Sequence, residues 1–235
     1  MLSRLLARAA LGALDVIVVV GMVGACCESS LPIVSGAPAL TAGILRAHHD
    51  PVGGAVPPFK LAAAVVAVED EHFYSNPVVN VFDGIARAAL TALRSKGDPG
   101  GSTIPQQLAK RLYGKGSGFG TTVEEIALGL KLSFKFSHAR VLAMYLNAAY
   151  FGNGYWGDVA AAQGYFRTSP NRLDWAEAAM LAGLLQAPSA YDPITHFALA
   201  KQRQAVVLDQ LVVNHQLTLA RAEVVSRESL PLRRS

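Results

Sequence analysis

The chain has 235 residues, of which 51% are hydrophobic and 16% charged, with a formal net charge of +4. That length allows one good-sized core or two small ones, and the apolar content is rich for a domain that meets only water. The Lys and Arg residues are scattered rather than gathered into a stripe, which argues against a nucleic-acid-binding surface and suits an anionic membrane or a phosphate-bearing substrate.

In chain order, Arg4 and Arg8 precede an apolar run over 9–27 that is broken by Asp15. The run is long enough to span a bilayer, and the leading positive charge puts the N-terminus in the cytoplasm and the rest outside. A cleaved signal peptide is the plain alternative. A lipoprotein signal is a third, because Val23-Gly24-Ala25-Cys26 loosely resembles a lipobox. Asp15 is costly inside a membrane and weighs against all three. The only cysteines, Cys26 and Cys27, are adjacent, a poor geometry for a disulfide, and they lack metal-ligand spacing. Residues 28–58 are dense in Ser, Gly and Pro and read as a linker with a short helix at 39–47. The division is 1–27 cytoplasmic stub and anchor, 28–58 linker, 59–228 folded domain and 229–235 tail.

From Phe59 the character changes. The unbroken apolar run at 61–68, rich in Ala, predicts a buried helix leading into Glu69-Asp70-Glu71-His72. A helix follows at 81–95. Thr103 as N-cap, Pro105 in the first turn and Gln106 three after the cap predict a capping box and a helix to about Tyr113. Another helix begins near Thr122, with Ile126, Leu130 and Phe134 on one face. Ser137 caps the next, with Val141, Leu142, Tyr145 and Leu146 as its buried face. Residues 150–157 are a loop. Asp174 with Glu177 caps a helix reaching Leu185, and helices at 196–213 and 218–227 close the chain. No strand alternation or repeat is present, so the fold class is mainly α.

Three places could carry chemistry. Glu69 follows a wholly apolar helical stretch, where a carboxylate is partly desolvated and suited to act as a base. Read blandly, it is a charge at the open end of a buried helix, and Asp70 and Glu71 beside it could instead bind a cation. In Gly100-Gly101-Ser102-Thr103-Ile104-Pro105-Gln106-Gln107, two glycines let a ligand approach the backbone and the helix start behind them favours anions. Ser102, Thr103, Gln106, Gln107, Lys110 and Arg111 add polar and cationic groups that together suit a diphosphate. An ordinary capped loop-to-helix junction explains the same residues, and the lysine spacing is not that of a nucleotide P-loop. Glu125, early in its helix, is already explained by the helix dipole unless it partners Glu69.

The order of these pieces is informative. Glu69-Asp70-x-x-Phe73, the Gly-Gly-Ser-Thr-Ile-x-Gln-Gln segment at 100–107, Glu125 and Val141-Leu142-x-x-Tyr145-Leu146-Asn147 follow one another. Phe151-Gly152-Asn153-Gly154, Ala161-Ala162-x-x-Tyr165-Phe166 and Glu177-Ala178-Ala179-x-Leu181-Ala182-Gly183 come after them. From about Leu61 to Pro193 the chain resembles the peptidoglycan glycosyltransferase domain (family 51) of penicillin-binding proteins and monofunctional transglycosylases.

The resemblance implies a lysozyme-like, mostly helical domain with a membrane-dipping lobe behind a single N-terminal transmembrane helix. It implies polymerisation of lipid II into β-1,4-linked glycan from an undecaprenyl-diphosphate carrier, with inversion at the anomeric carbon. By motif match Glu69 would be the general base and Glu125 would lie near the donor diphosphate. Asp70, Phe73, Gly101, Ser102, Thr103, Gln106, Gln107, Lys110, Arg140 and Asn147 would line the substrate cleft. The implied partners are lipid II, the nascent glycan strand, the membrane and cell-wall synthesis proteins, with no nucleic acid. The implied location is the bacterial cytoplasmic membrane, single-pass, with the domain on its outer side. No protein metal site is implied, and the one ion the reading admits is a divalent cation at the donor diphosphate. No Ser-x-x-Lys motif is present, so the expected protein is monofunctional.

The chain departs from the family at Asn76, Val78, Asn80, Pro105 and His138, and most of all at Thr121-Thr122, where an Arg-Lys pair is expected before Glu125. Lys110, Arg111, Lys115 or Arg140 would have to compensate. Two other readings use the same residues: a degenerate, non-catalytic binder of lipid II or cell-wall partners, and a lysozyme-like glycan-cleaving enzyme, which would not need the anion site.

Overall fold

The computed structural model describes residues 31–75, 102–114 and 119–232, with 119–123 described in backbone only. The helix expected at 81–95 and the apolar run at 9–27 lie outside the described residues. Within them the chain forms α1 (Ala37–Ala47), α2 (Phe59–Glu69), α3 (Ile104–Tyr113), α4 (Phe119–Lys135) and α5 (His138–Ala148). It continues through α6 (Gly157–Phe166), α7 (Trp175–Leu184), α8 (Phe197–Val213) and α9 (Leu219–Arg227). The described residues contain no strand, only an isolated antiparallel bridge between Tyr150 and Trp156, so the mainly α expectation holds. No described helix is long and apolar enough to cross a membrane.

The helices start where local chemistry directs. Thr103 with Gln106 and Asp174 with Glu177 both form reciprocal capping boxes, while Ser137 and Thr218 accept the third amide of their helices. Each cap satisfies donors that the first turn leaves without an intrahelical partner. The helix expected at 39–47 spans 37–47, and it joins the core: Leu45 is fully buried and Ala37 packs into the main apolar cluster.

The core is organised by two helices that are apolar almost all round, which is the pattern of a helix with protein on every side. In α7 every residue from Ala176 to Leu184 is buried, and in α2 Leu61, Ala64 and Val65 are inaccessible. These two pack on each other, and α8 covers both. On the other side α3 packs against α4 and α5, and α5 carries α1 and α6.

The inner face of α4 differs from the i,i+4 set singled out in the sequence. Leu128 and Leu132 are buried, whereas Phe134 is 70% exposed. The reason is Gly129. A Cβ there would lie 3.0 Å from the Gln106 amide nitrogen and 3.1 Å from the Pro105 carbonyl carbon. The two backbones cross at this glycine, so the face holding Glu125, Leu128, Gly129 and Leu132 turns inward and the Ile126, Leu130, Phe134 face turns away. The 150–157 loop is as irregular as expected. Gly152 has φ +86°, and a Cβ would meet the Pro188 carbonyl oxygen at 2.8 Å.

Candidate active site

The end of α2 and the start of α3 are fastened together by two consecutive carboxylates that do different things. Asp70, 2% exposed, turns inward, and its Oδ2 accepts the Ile104 amide at 2.9 Å. Glu69, half-buried, points the other way, and its Oε2 accepts Gln107 Nε2 at 3.0 Å. The Glu69 carboxylate is thereby presented beside the second motif, 38 residues later in the chain.

The first turn of α3 is fully accounted for. The Ile104 amide goes to Asp70, Pro105 has no N–H, and the Gln106 amide reaches Thr103 Oγ1 at 3.4 Å. Gln106 Oε1 in return accepts the Thr103 amide at 2.9 Å. The expectation that this helix start offers its amides to an anion is therefore corrected: protein groups already occupy them, and the Asp70 charge already answers the helix dipole. Thr103 and Gln106 are buried in the cap. Ser102 and Lys110 are exposed, leaving them and Gln107 as the open groups of the segment. Gly101 lies outside the described residues, as does Lys115.

A second layer stands behind Gln107. Its Oε1 accepts the Tyr145 hydroxyl at 3.0 Å. Tyr145 is wholly buried, and burial pushes its pKa up to about 12, with the Arg111 charge pulling it down and the Glu69 and Asp70 charges adding to the rise. The Arg111 guanidinium lies 4.2 Å above the Tyr145 ring centroid, and its buried Nη1 has no hydrogen-bond partner among the described residues. The sequence placed Tyr145 in a buried apolar face and in the Val141–Asn147 motif, without a role for its hydroxyl. The missed signal was its hydroxyl, which needs a partner when buried.

Glu125 stands one turn before Gly129, on the face of α4 that turns toward α3, so the structure sets it on the same side as the second motif. The side chains of Thr121 and Thr122 are not described. Phe73 is buried, with the His138 ring edge-on at 5.3 Å. His138 thus gives Phe73 an aromatic partner.

Arg140 and Asn147 are not brought to Glu69. They sit on the opposite face of α5 from Tyr145, lining a small groove with Thr41, Val52, Gly53 and Met144. Asn147 Oδ1 accepts the Gly53 amide at 2.6 Å and its Nδ2 donates to the Ala143 carbonyl. It fastens the 51–54 loop to α5. Behind that bond lies Asp158, 3% exposed, whose Oδ1 is buried without a hydrogen-bond partner among the described residues. Desolvation raises the Asp158 pKa to about 6 against the lowering effect of the Val159 and Asp158 amides. The sequence reading did not single it out.

Comparison with known proteins fits this arrangement. The transglycosylase family model matches residues 43–212. Penicillin-binding protein 1A of Neisseria flavescens is 40% identical over 172 residues, covering 72% of this chain and 21% of that one. Penicillin-binding protein 2a of Streptococcus pneumoniae is 41% identical over 153 residues, covering 65% and 20%. The chain thus spans about a fifth of the length of the curated relatives it matches. Among solved structures, penicillin-binding protein 1A from Haemophilus influenzae aligns at 24% identity with TM-score 0.39, over 56% of this chain and 16% of that one, too loosely to argue from. The transglycosylase match over most of the chain places it in the glycosyltransferase class of enzyme. The chain is a member of the transglycosylase family, and its matched region is a family 51 glycosyltransferase domain.

Proposed function

We propose that this domain polymerises lipid II into β-1,4-linked glycan, with Glu69 as the general base. The observation that supports it best is the Glu69 carboxylate, half-buried and hydrogen-bonded to Gln107 of the second motif. In the reaction the acceptor's 4-oxygen forms a bond to the donor's anomeric carbon while that carbon's bond to the diphosphate breaks. The acceptor proton passes to Glu69 and the polyprenyl diphosphate leaves. A base within hydrogen-bond reach of the acceptor hydroxyl is what this step needs. Lys110, Ser102 and Glu125 line the donor side. A divalent cation, where the reaction uses one, is carried by the donor diphosphate.

The reading includes a bacterial cytoplasmic membrane location, with residues 9–27 as a single anchor, the domain outside, and cell-wall synthesis proteins as partners. Thr121-Thr122, in place of two cations, favours one other reading, a non-catalytic binder of lipid II. Purified protein and Glu69→Gln supplied with lipid II separate the two. Glycan polymer from the parent, reduced at least roughly a hundredfold in the variant, is expected. Retention of lipid II by both without polymer would refute the catalytic reading in favour of the binder.

A further inference from the structure

We propose that Arg111 and Tyr145 are positioning residues that act on Glu69 through Gln107. The inference rests on the glycosyl-transfer reading for its kinetic consequence, while its geometry stands on its own.

The chain of contacts runs in one direction. Tyr145 is a buried phenol that keeps its proton, so it must donate, and its bond goes to Gln107 Oε1 at 3.0 Å. That leaves the amide of Gln107 only one useful orientation, with its NH2 toward Glu69 Oε2 at 3.0 Å and the Ser102 carbonyl at 3.4 Å. A side-chain amide has one acceptor end and one donor end, so fixing the first fixes the second. Without the phenol donor, both orientations of Gln107 become accessible, and in one of them an oxygen faces the Glu69 carboxylate.

Arg111 holds the other end of the relay. It is one helical turn beyond Gln107 on α3, so the two side chains share a face. Its guanidinium carbon lies over the Tyr145 ring face, 4.2 Å from the centroid, a cation–π contact that holds the ring in place behind Gln107. No salt bridge joins Arg111 to a carboxylate among the described residues.

Three variants separate the links. Tyr145→Phe keeps the ring and the stack but removes the donor. Arg111→Met keeps the stem but removes the charge and the stack, and Arg111→Lys restores the charge alone. The first readout is the side-chain amide of Gln107 in the full chain, labelled with 15N-glutamine and assigned by its loss in Gln107→Ala. Its proton resonances should move in Tyr145→Phe and in Arg111→Met. The second readout is kinetic. Tyr145→Phe should lower kcat roughly tenfold to a hundredfold with KM held, the scale expected for a misplaced catalytic group. Arg111→Met should likewise lower kcat with KM held, and Arg111→Lys, which lacks the planar group over the ring, should recover it only in part. An unmoved Gln107 amide in both variants would overturn the relay, whether or not the protein turns over. A raised KM with kcat unchanged in Arg111→Met would make Arg111 a substrate contact and overturn its positioning role. Absence of polymer from the parent would refute the glycosyl-transfer reading alone, with the amide resonances still deciding the relay.

Discussion

Replacing Asp158 with Asn should stabilise the protein, and the gain should depend on pH. The native carboxyl has its pKa raised from 3.8 to about 6 by burial. A group that holds its proton more tightly when folded contributes nothing unfavourable below about pH 4, where both states are protonated. As pH rises through 4 to 6 the unfolded chain releases the proton first, and stability falls. Above about 6 both states are ionised and the loss is complete. Two pH units at 1.36 kcal/mol each make that loss about 3 kcal/mol. The Asp158→Asn side chain would carry no such charge, and its NH2 can face the crowded oxygens at the Gly53 contact. Asp158 Oδ1 and Asn147 Oδ1 lie 2.6 and 2.8 Å from the point a Gly53 Cβ would occupy. The amide accepts less strongly from the α6 amides than the carboxylate does, so a net gain of about 1–3 kcal/mol is expected at pH 7.5. In a protein of this size that is a rise in Tm of several degrees, about 2–4 °C for each kcal/mol. Urea unfolding of parent and variant from pH 4 to 8 gives the difference directly, and titrations elsewhere cancel in it. A difference that stays flat with pH, or an Asn variant less stable at pH 7.5 than at pH 4 relative to the parent, would refute the reasoning.

Gly129→Ala should destabilise the domain despite the better helix propensity of Ala. The propensity gain is about 1 kcal/mol and overpacking costs about 1–3 kcal/mol; the obstructing atoms are the Pro105–Gln106 backbone, which yields poorly. Urea midpoints measure this, and a more stable variant would show that the α3–α4 crossing has slack. Thr103→Ala removes the cap of α3 and should cost about 1 kcal/mol, with loss of polymerisation exceeding the loss of stability because the same turn sets Gln107 against Glu69. Activity measured well below the variant's unfolding temperature checks it, and unchanged activity there would count against the coupling.

What can be read from the residues alone is local. Thr103 with Gln106, Ser137 and Asp174 with Glu177 set helix starts because a cap depends on three or four neighbours in sequence. The α2 run is legible because its apolar character needs no tertiary context. The meeting of Glu69 and Gln107 is not, since nothing in either segment specifies the other; it is reachable only through the family's motif order. The inward face of α4 differs from expectation because spacing alone does not say which apolar stripe turns inward, and the decision falls to a glycine at a backbone crossing. The same limit applies to Asn147, whose amide serves the 51–54 loop, and to Asp158, whose burial is set by that loop rather than by its own helix. The anion site at α3 is overstated by the sequence because a good cap and an Asp70 partner use the very amides that an anion would need.

The Asp70–Ile104 bond has a consequence for how this domain can vary. It joins residues 34 apart, and the Glu69–Gln107 bond beside it closes nearly the same loop. The two bonds hold together the ends of the chain that runs between them. Closing a longer excursion costs only about 0.6 kcal/mol for each doubling of its length. Adding residues between Ser75 and Ser102 should therefore leave the clamp intact, making that stretch a natural place for one relative to differ from another in length without moving the carboxylate it flanks.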